Sequence, residues 1–250
     1  MKRKLVDLFL ERKQAAIKSV AVLLDPDDID FAKLPEIVNK CEACNIHYFF
    51  VGGSLINSGN FIELLNQLKI LTKLPVIIFP GNNTHIFPEA DGILLLSLVS
   101  GRNPEFLIGQ HVIAAPVLKR SGLEVLSTAY ILVDGGSQTT VSYISNTNPI
   151  PNNKPDIAVA TAVAAEMIGM KLTYLDAGSG ADSPVSTRII KAVAGNVKTP
   201  VIVGGGLRSL ENVKAAFQNG ADVVVVGNAV EENSDFILEL SLLTKVTNVS

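Results

Sequence analysis

Three glycine-bearing turns stand out in the second half of the chain: "YLDAGSGA" (174–181), "GGGLRS" (204–209) and "VGNA" (226–229). Each follows a short apolar run. Glycines at such points let backbone N–H groups approach an anion closely, and a following helix N-terminus adds partial positive charge. One such turn is only a tight turn. Three of them, with the hydroxyl of Ser179 able to donate, point to a bound phosphate. Asp176 stands at the start of the first turn, a carboxylate beside bare backbone.

The first half carries a different chemistry. "LLDPDD" (23–28) puts Asp25 at the tip of an apolar run with Asp27 and Asp28 just beyond, and "VGGS" (51–54) ends on Ser54. Oxygen ligands with few other constraints suit Mg²⁺, which keeps several waters and is often shared with substrate phosphates. The same residues also fit a plain turn, with Asp25 shaping the chain before Pro26 and Asp27 or Asp28 capping the next helix. Spacing alone leaves both readings standing.

The remaining reactive residues suggest little. Of the three histidines, His47 lies in an apolar run and reads as packed, His111 falls inside a helical pattern, and His85 sits in a loop near the strand ends. No Ser-His-Asp or Cys-His arrangement appears. "GGGLRS" lacks the Gly-Lys-Ser/Thr ending of a Walker A loop, and "DPDDID" is not the pair of helical Asp-rich motifs of all-α prenyl transferases. The two cysteines, Cys41 and Cys44, have C-x-x-C spacing but no second ligand pair, and read as packed thiols.

Eight apolar runs must carry these turns: "SVAVLLDP", "IHYFFVGGS", "PVIIFPGN", "GILLLSLVSG", "AYILVDGG", "LTYLDAGSG", "PVIVGGGLR" and "DVVVVGNA". Runs without alternation predict strands buried on both faces, as in a parallel sheet. Helical patterns at 31–43, 61–72, 104–120, 156–169, 184–195 and 210–220 separate most of them. Ser183 with Pro184, and Ser209, are expected as helix starts, and Gly220 as a stop. Eight strands alternating with helices predict one (β/α)₈ barrel domain over 1–250, an open doubly wound sheet being the competitor. Two places break the repeat: 81–91 leaves too little room for a helix after the third strand, and 134–155 is long, polar and rich in proline. In a barrel the strand ends gather at one face, phosphate sits over strands seven and eight, and Asp25 lies beside them.

Composition narrows the setting. Apolar residues make up 48% of the 250 and charged ones 18%, enough for a large core. The net charge is −3 and no basic run exceeds the start "MKRK", which argues against nucleic acid. Asp7, Glu11 and Arg12 interrupt any secretory h-region. The longest apolar runs reach about half of the ~20 residues that a membrane span requires. A cytoplasmic protein is expected.

"LLDPDD", "VGGS", "FPGN", "LSLVSGRNPEFLIGQHV", "YLDAGSGA", "IVGGGLR" and "VVVGNA", in this order, resemble the geranylgeranylglyceryl phosphate synthases and the related heptaprenylglyceryl phosphate synthases. The resemblance spans about residues 20–230. It implies a modified (β/α)₈ barrel with an altered third helix and a Mg²⁺-dependent transfer of a polyprenyl group, geranylgeranyl by preference, to the 3-hydroxyl of sn-glycerol 1-phosphate. Carried over by motif, Asp25 and Ser54 would hold Mg²⁺. Tyr174, Leu175, Asp176, Ala177, Gly178, Ser179 and Gly180, with Gly205, Gly206, Gly227 and Asn228, would hold glycerol 1-phosphate, and Asp176 would accept the hydroxyl proton. A homo-oligomer, dimer or hexamer, is implied, with peripheral membrane contact for the lipid product. Two departures stand out: Asp176 replaces the usual Glu, and Leu23 occupies a position where some branches carry a phosphate-binding Lys. On the residues alone, a sugar-phosphate isomerase or lyase, or a non-catalytic barrel for a phosphorylated ligand, is the alternative.

Overall fold

The apolar runs form strands that are buried on both faces because they close on one another. The computed structural model describes residues 3–245 apart from 54 and 58. Its parallel strands are β1 (Ser19–Leu24), β2 (Tyr48–Gly52), β3 (Val76–Phe79), β4 (Gly92–Leu98), β5 (Glu124–Leu132), β6 (Leu172–Asp176), β7 (Val201–Gly204) and β8 (Val223–Val226). They pair in sequence order and β8 returns to β1, with Ser19 opposite Val223, closing the barrel.

Alternation along each strand divides the core in two. One set of side chains, including Ala21, Tyr48, Phe50, Ile77, Leu172, Tyr174, Ile202 and Val225, fills the barrel interior. The intervening set, including Val20, Val22, Phe49, Val51, Leu175 and Val203, packs outward against the helices. The period of two thus aims Asp176, two residues after Tyr174, into the barrel mouth.

The helices are α1 (Leu5–Gln14), α2 (Leu34–Ala43), α3 (Phe61–Leu71), α4 (Gln110–Ser121), α5 (Thr140–Ser145), α6 (Pro155–Met167), α7 (Thr187–Ala194), α8 (Leu210–Gln218), α9 (Asn228–Glu232) and α10 (Phe236–Lys245). Helix α1 closes the far end of the barrel. Phe9 stacks on Tyr48 with ring centroids 4.6 Å apart, and the Glu124 carboxylate accepts hydrogen bonds from the N–H groups of Leu5 and Val6 at 2.6 and 2.8 Å.

Some local expectations hold and others are corrected. No helix lies between β3 and β4 among the described residues, as the short 81–91 segment implied. The stretch 134–155 is not simply a loop. It holds α5, started by a reciprocal pair of Thr139 and Ser142, and it returns to the sheet where Val133 bridges Ile150. The helix expected from 104 opens as a π-turn, Glu105–Gly109, before α4. Ser183 and Pro184 do not start α7. Asn152 accepts from Ser186 N at 2.7 Å and donates to Pro184 O at 3.1 Å, holding that segment extended, so Ser186 becomes the cap. Ser209 does cap α8, accepting from Asn212 N, a contact worth about 1 kcal/mol.

Candidate active site

The C-terminal strand ends surround a cavity of about 370 Å³. Its floor is Tyr174, Phe79, Leu23 and Val225. One wall consists of Ser179 and Gly180 after β6, Gly205 and Gly206 after β7, and Gly227 and Asn228 after β8. The adjoining wall, at the β1 and β2 tips, carries Asp25, Asp28 and Gly53, with Glu231 beside them. The turns are tied together: Ser179 Oγ donates to Asn228 Oδ1 at 3.2 Å. Leu175 and Ala177, also expected at the site, turn their side chains into the outer core, so only their backbone can face a ligand. Gly178 donates its N–H inward, to Asp176.

Asp176 is only 6% exposed. Its Oδ1 accepts from Gly178 N at 2.9 Å, and its Oδ2 accepts a short hydrogen bond from the Tyr130 hydroxyl. Burial pushes its carboxyl above the usual range, against the lowering effect of those two donors. Burial, with the Asp176 charge added, likewise raises the Tyr130 and Tyr174 phenols well above their ordinary value. A buried carboxylate with raised pKa and fixed orientation is suited to taking a proton from a hydroxyl.

Gly205 adopts φ +77°, and a β-carbon there would meet Asp176 Oδ1 at 2.5 Å and Gly178 N at 2.6 Å. Gly205→Ala is therefore expected to cost about 1–2 kcal/mol from the left-handed backbone alone, plus the displacement of Asp176. A lower urea midpoint checks the first effect, and lost calorimetric binding of inorganic phosphate checks the second.

At β1 Asp25 makes the turn with one of its two carboxylate oxygens. Asp25 Oδ1 accepts from Asp27 N at 2.9 Å and shapes the turn. Its Oδ2 faces Gly53, where any β-carbon would overlap it. Asp27 and Asp28 do not cap α2; Asp27 Oδ2 accepts from Asn57 N at 2.7 Å. Asp25 N donates to Glu231 Oε1 at 3.0 Å. Burial raises the Asp25 carboxyl and pushes that of Glu231 up to about 7. Ser54 lies outside the described residues. No three His, Cys, Asp or Glu side chains form a metal cage among the described residues. A single carboxylate oxygen facing the cavity instead fits Mg²⁺, which completes its shell with water and phosphate oxygens.

A second, apolar groove of about 110 Å³ opens where the β3–β4 helix is missing. Ile86, Ile93, Leu96, Leu98, Phe106, Ala114, Leu118 and Ile144 line it. Phe79 lines both spaces, and the Tyr130 ring lies on the groove side while its hydroxyl holds Asp176.

Sequence reasoning missed Tyr130, Glu231, Phe79 and Arg208, the last being the one basic residue among the described residues that line the main cavity. Tyr130 had a readable signal, since the tyrosines of "AYILVD" and "LTYLDA" occupy the same strand register and pair directly. The histidines stay outside the chemistry. His47 Nδ1 accepts from Val20 N at 3.2 Å, His85 Nδ1 accepts from Gly81 N at 3.2 Å, and His111 Nε2 meets Ser97 Oγ at 3.1 Å. Cys41 and Cys44 are buried and unbonded to one another.

Comparisons with known proteins agree with this geometry. Residues 13–245 match the model of the PcrB family. The geranylgeranylglyceryl phosphate synthase of Chitinophaga pinensis is 49% identical over 241 residues, 96% of each chain. That of Spirosoma linguale is 50% identical over 238 residues, 95% of this chain and 96% of its own. Among solved structures, the (S)-3-O-geranylgeranylglyceryl phosphate synthase of Thermoplasma acidophilum, in complex with its substrate sn-glycerol-1-phosphate, superposes with a TM-score of 0.91 at 31% identity, covering 99% of this chain and 100% of that one. With a family model matched over nearly its whole length and relatives at this level of identity, the chain belongs to the PcrB family.

Proposed function

We propose that this protein is a prenyltransferase that joins a polyprenyl diphosphate, geranylgeranyl by preference, to the 3-hydroxyl of sn-glycerol 1-phosphate. The observation that carries the reading is the meeting at Phe79 of a glycine-walled anion cavity and an apolar groove, with one buried carboxylate between them. The glycine turns hold the glycerol phosphate and bring its hydroxyl to Asp176 at high effective concentration. The hydroxyl oxygen forms a bond to the allylic carbon as the bond from that carbon to the diphosphate oxygen breaks. The electron pair leaves with diphosphate, and the proton passes to Asp176. Tyr130 and Gly178 hold the carboxylate still during that transfer, and the Tyr130 and Phe79 rings line the groove beside it. The groove takes the prenyl tail, each buried CH₂ contributing ~0.8 kcal/mol.

Asp25 would hold Mg²⁺, with Ser54 as the second ligand implied by motif. When bound, the ion neutralises the leaving diphosphate. Charge supports this: among the described residues, Asp25, Asp28, Asp176 and Glu231 line the cavity against Arg208 alone, while both substrates are anions. Ile108, Val112, Ile113 and Val117 around α4, and Ile157, Met167 and Ile168 at α6, are exposed and support a homo-oligomer.

With Mg²⁺, labelled sn-glycerol 1-phosphate and geranylgeranyl diphosphate, purified protein is expected to yield an organic-extractable labelled ether, and EDTA to abolish it. No lipid product, or turnover of a sugar phosphate that survives EDTA, would contradict the reading.

A further inference from the structure

Glu231 has no part in the chemistry above, yet it is placed where the two halves of the cavity meet. It lies on α9, three residues after Asn228 of the phosphate wall, and its Oε1 accepts the Asp25 backbone N–H at 3.0 Å across 206 residues of sequence. From there the hydrogen bonds continue. Asp25 Oδ1 takes Asp27 N at 2.9 Å and Asp27 Oδ2 takes Asn57 N at 2.7 Å, so one line runs from the β8 turn across the β1 tip to the β2 loop. Glu231 is partly buried, makes no ion pair among the described residues and faces two other carboxylates, Asp25 and Asp28. Electrostatics alone disfavours that placement. What it secures is the β1 tip, where Glu231 holds the Asp25 backbone and the turn holds its carboxylate through Oδ1.

Resting on the prenyl-transfer reading, we infer that Glu231 is a positioning residue that orients Asp25 for the cation and couples the cation to the glycerol phosphate. A phosphate seated over Gly227 and Asn228 steadies the first turn of α9, which steadies Glu231 and through it Asp25. Coupling of this kind is reciprocal, so glycerol phosphate tightens cation binding by the factor by which the cation tightens glycerol phosphate.

The test titrates Mn²⁺, which takes carboxylate and water ligands as Mg²⁺ does, by electron paramagnetic resonance with and without sn-glycerol 1-phosphate. Wild type is expected to bind Mn²⁺ about 5-fold tighter or more with glycerol phosphate present. Glu231→Ala is expected to weaken Mn²⁺ about 10-fold or more and to lose the coupling. Glu231→Gln, whose amide oxygen still accepts from Asp25 N, keeps both. Circular dichroism and a thermal melt confirm that the variants fold. Unchanged affinity and coupling in Glu231→Ala, or loss in Glu231→Gln equal to that in Glu231→Ala, overturns the positioning role while leaving the prenyl-transfer reading intact. A wild type that binds no Mn²⁺, or an Asp25→Asn variant that binds it as well as wild type, overturns the metal assignment and the positioning role together.

Discussion

Asp176→Asn is expected to lower kcat by about 10²–10⁴-fold, the usual contribution of a general base, while leaving the protein as stable as wild type or more so. The stability half follows from the site. An Asn at 176 can accept from Gly178 N with its oxygen and donate to the Tyr130 hydroxyl with its nitrogen, so both contacts of the carboxylate keep a partner. It also removes a charge that burial disfavours. A carboxyl whose folded pKa is raised above its unfolded one weakens the fold as pH climbs through the window between the two, and that penalty is fully present above the folded value. The wild-type rate should therefore rise with pH through the same raised pKa, and the variant should show no such limb. Steady-state kinetics against pH, with melting curves alongside, check both. A variant that keeps its turnover would remove Asp176 from the base role.

The second large effect is at the β1 tip. Asp25→Asn is expected to reduce kcat by about 10²–10³-fold, the scale for losing one preorganised electrostatic contact in a closed site, and to shift the Mg²⁺ dependence to higher concentration. The melting temperature should move little. The Asn oxygen can keep the turn by accepting from Asp27 N, and one negative charge leaves a group that also includes Asp28 and Glu231. An activity loss that tracks unfolding would show Asp25 to be a turn residue only.

The barrel was legible because its strands are continuous apolar runs ending in glycine or aspartate, and the count of such ends closes a sheet. The glycine-lined wall of the cavity was legible for a related reason: glycines are written into the sequence wherever backbone must come close. What escaped depended on partners far away in the chain. Helix α1 has no local cap; its first N–H groups are satisfied by Glu124, 119 residues on. The start of α7 moved because Asn152 holds the preceding segment. Tyr130 reaches Asp176 across 46 residues and Glu231 reaches Asp25 across 206, distances at which no spacing rule operates.

The acid at 176 is held at both oxygens. With Gly178 N on one oxygen and Tyr130 on the other, the carboxylate is drawn back against β5 and held there. A β-carbon at Gly205 would come within 2.5 Å of Asp176 Oδ1, so this close approach needs the glycine there.

The most direct test of the whole arrangement is a crystal structure with sn-glycerol 1-phosphate, Mg²⁺ and a non-reactive thio-analogue of geranylgeranyl diphosphate. The expected result has phosphate over Gly205, Gly206 and Gly227, the 3-hydroxyl within hydrogen-bond reach of Asp176, metal at Asp25 and the prenyl chain in the groove beyond Phe79. Phosphate bound elsewhere, or a prenyl chain that avoids the groove between β3 and β4, would contradict it.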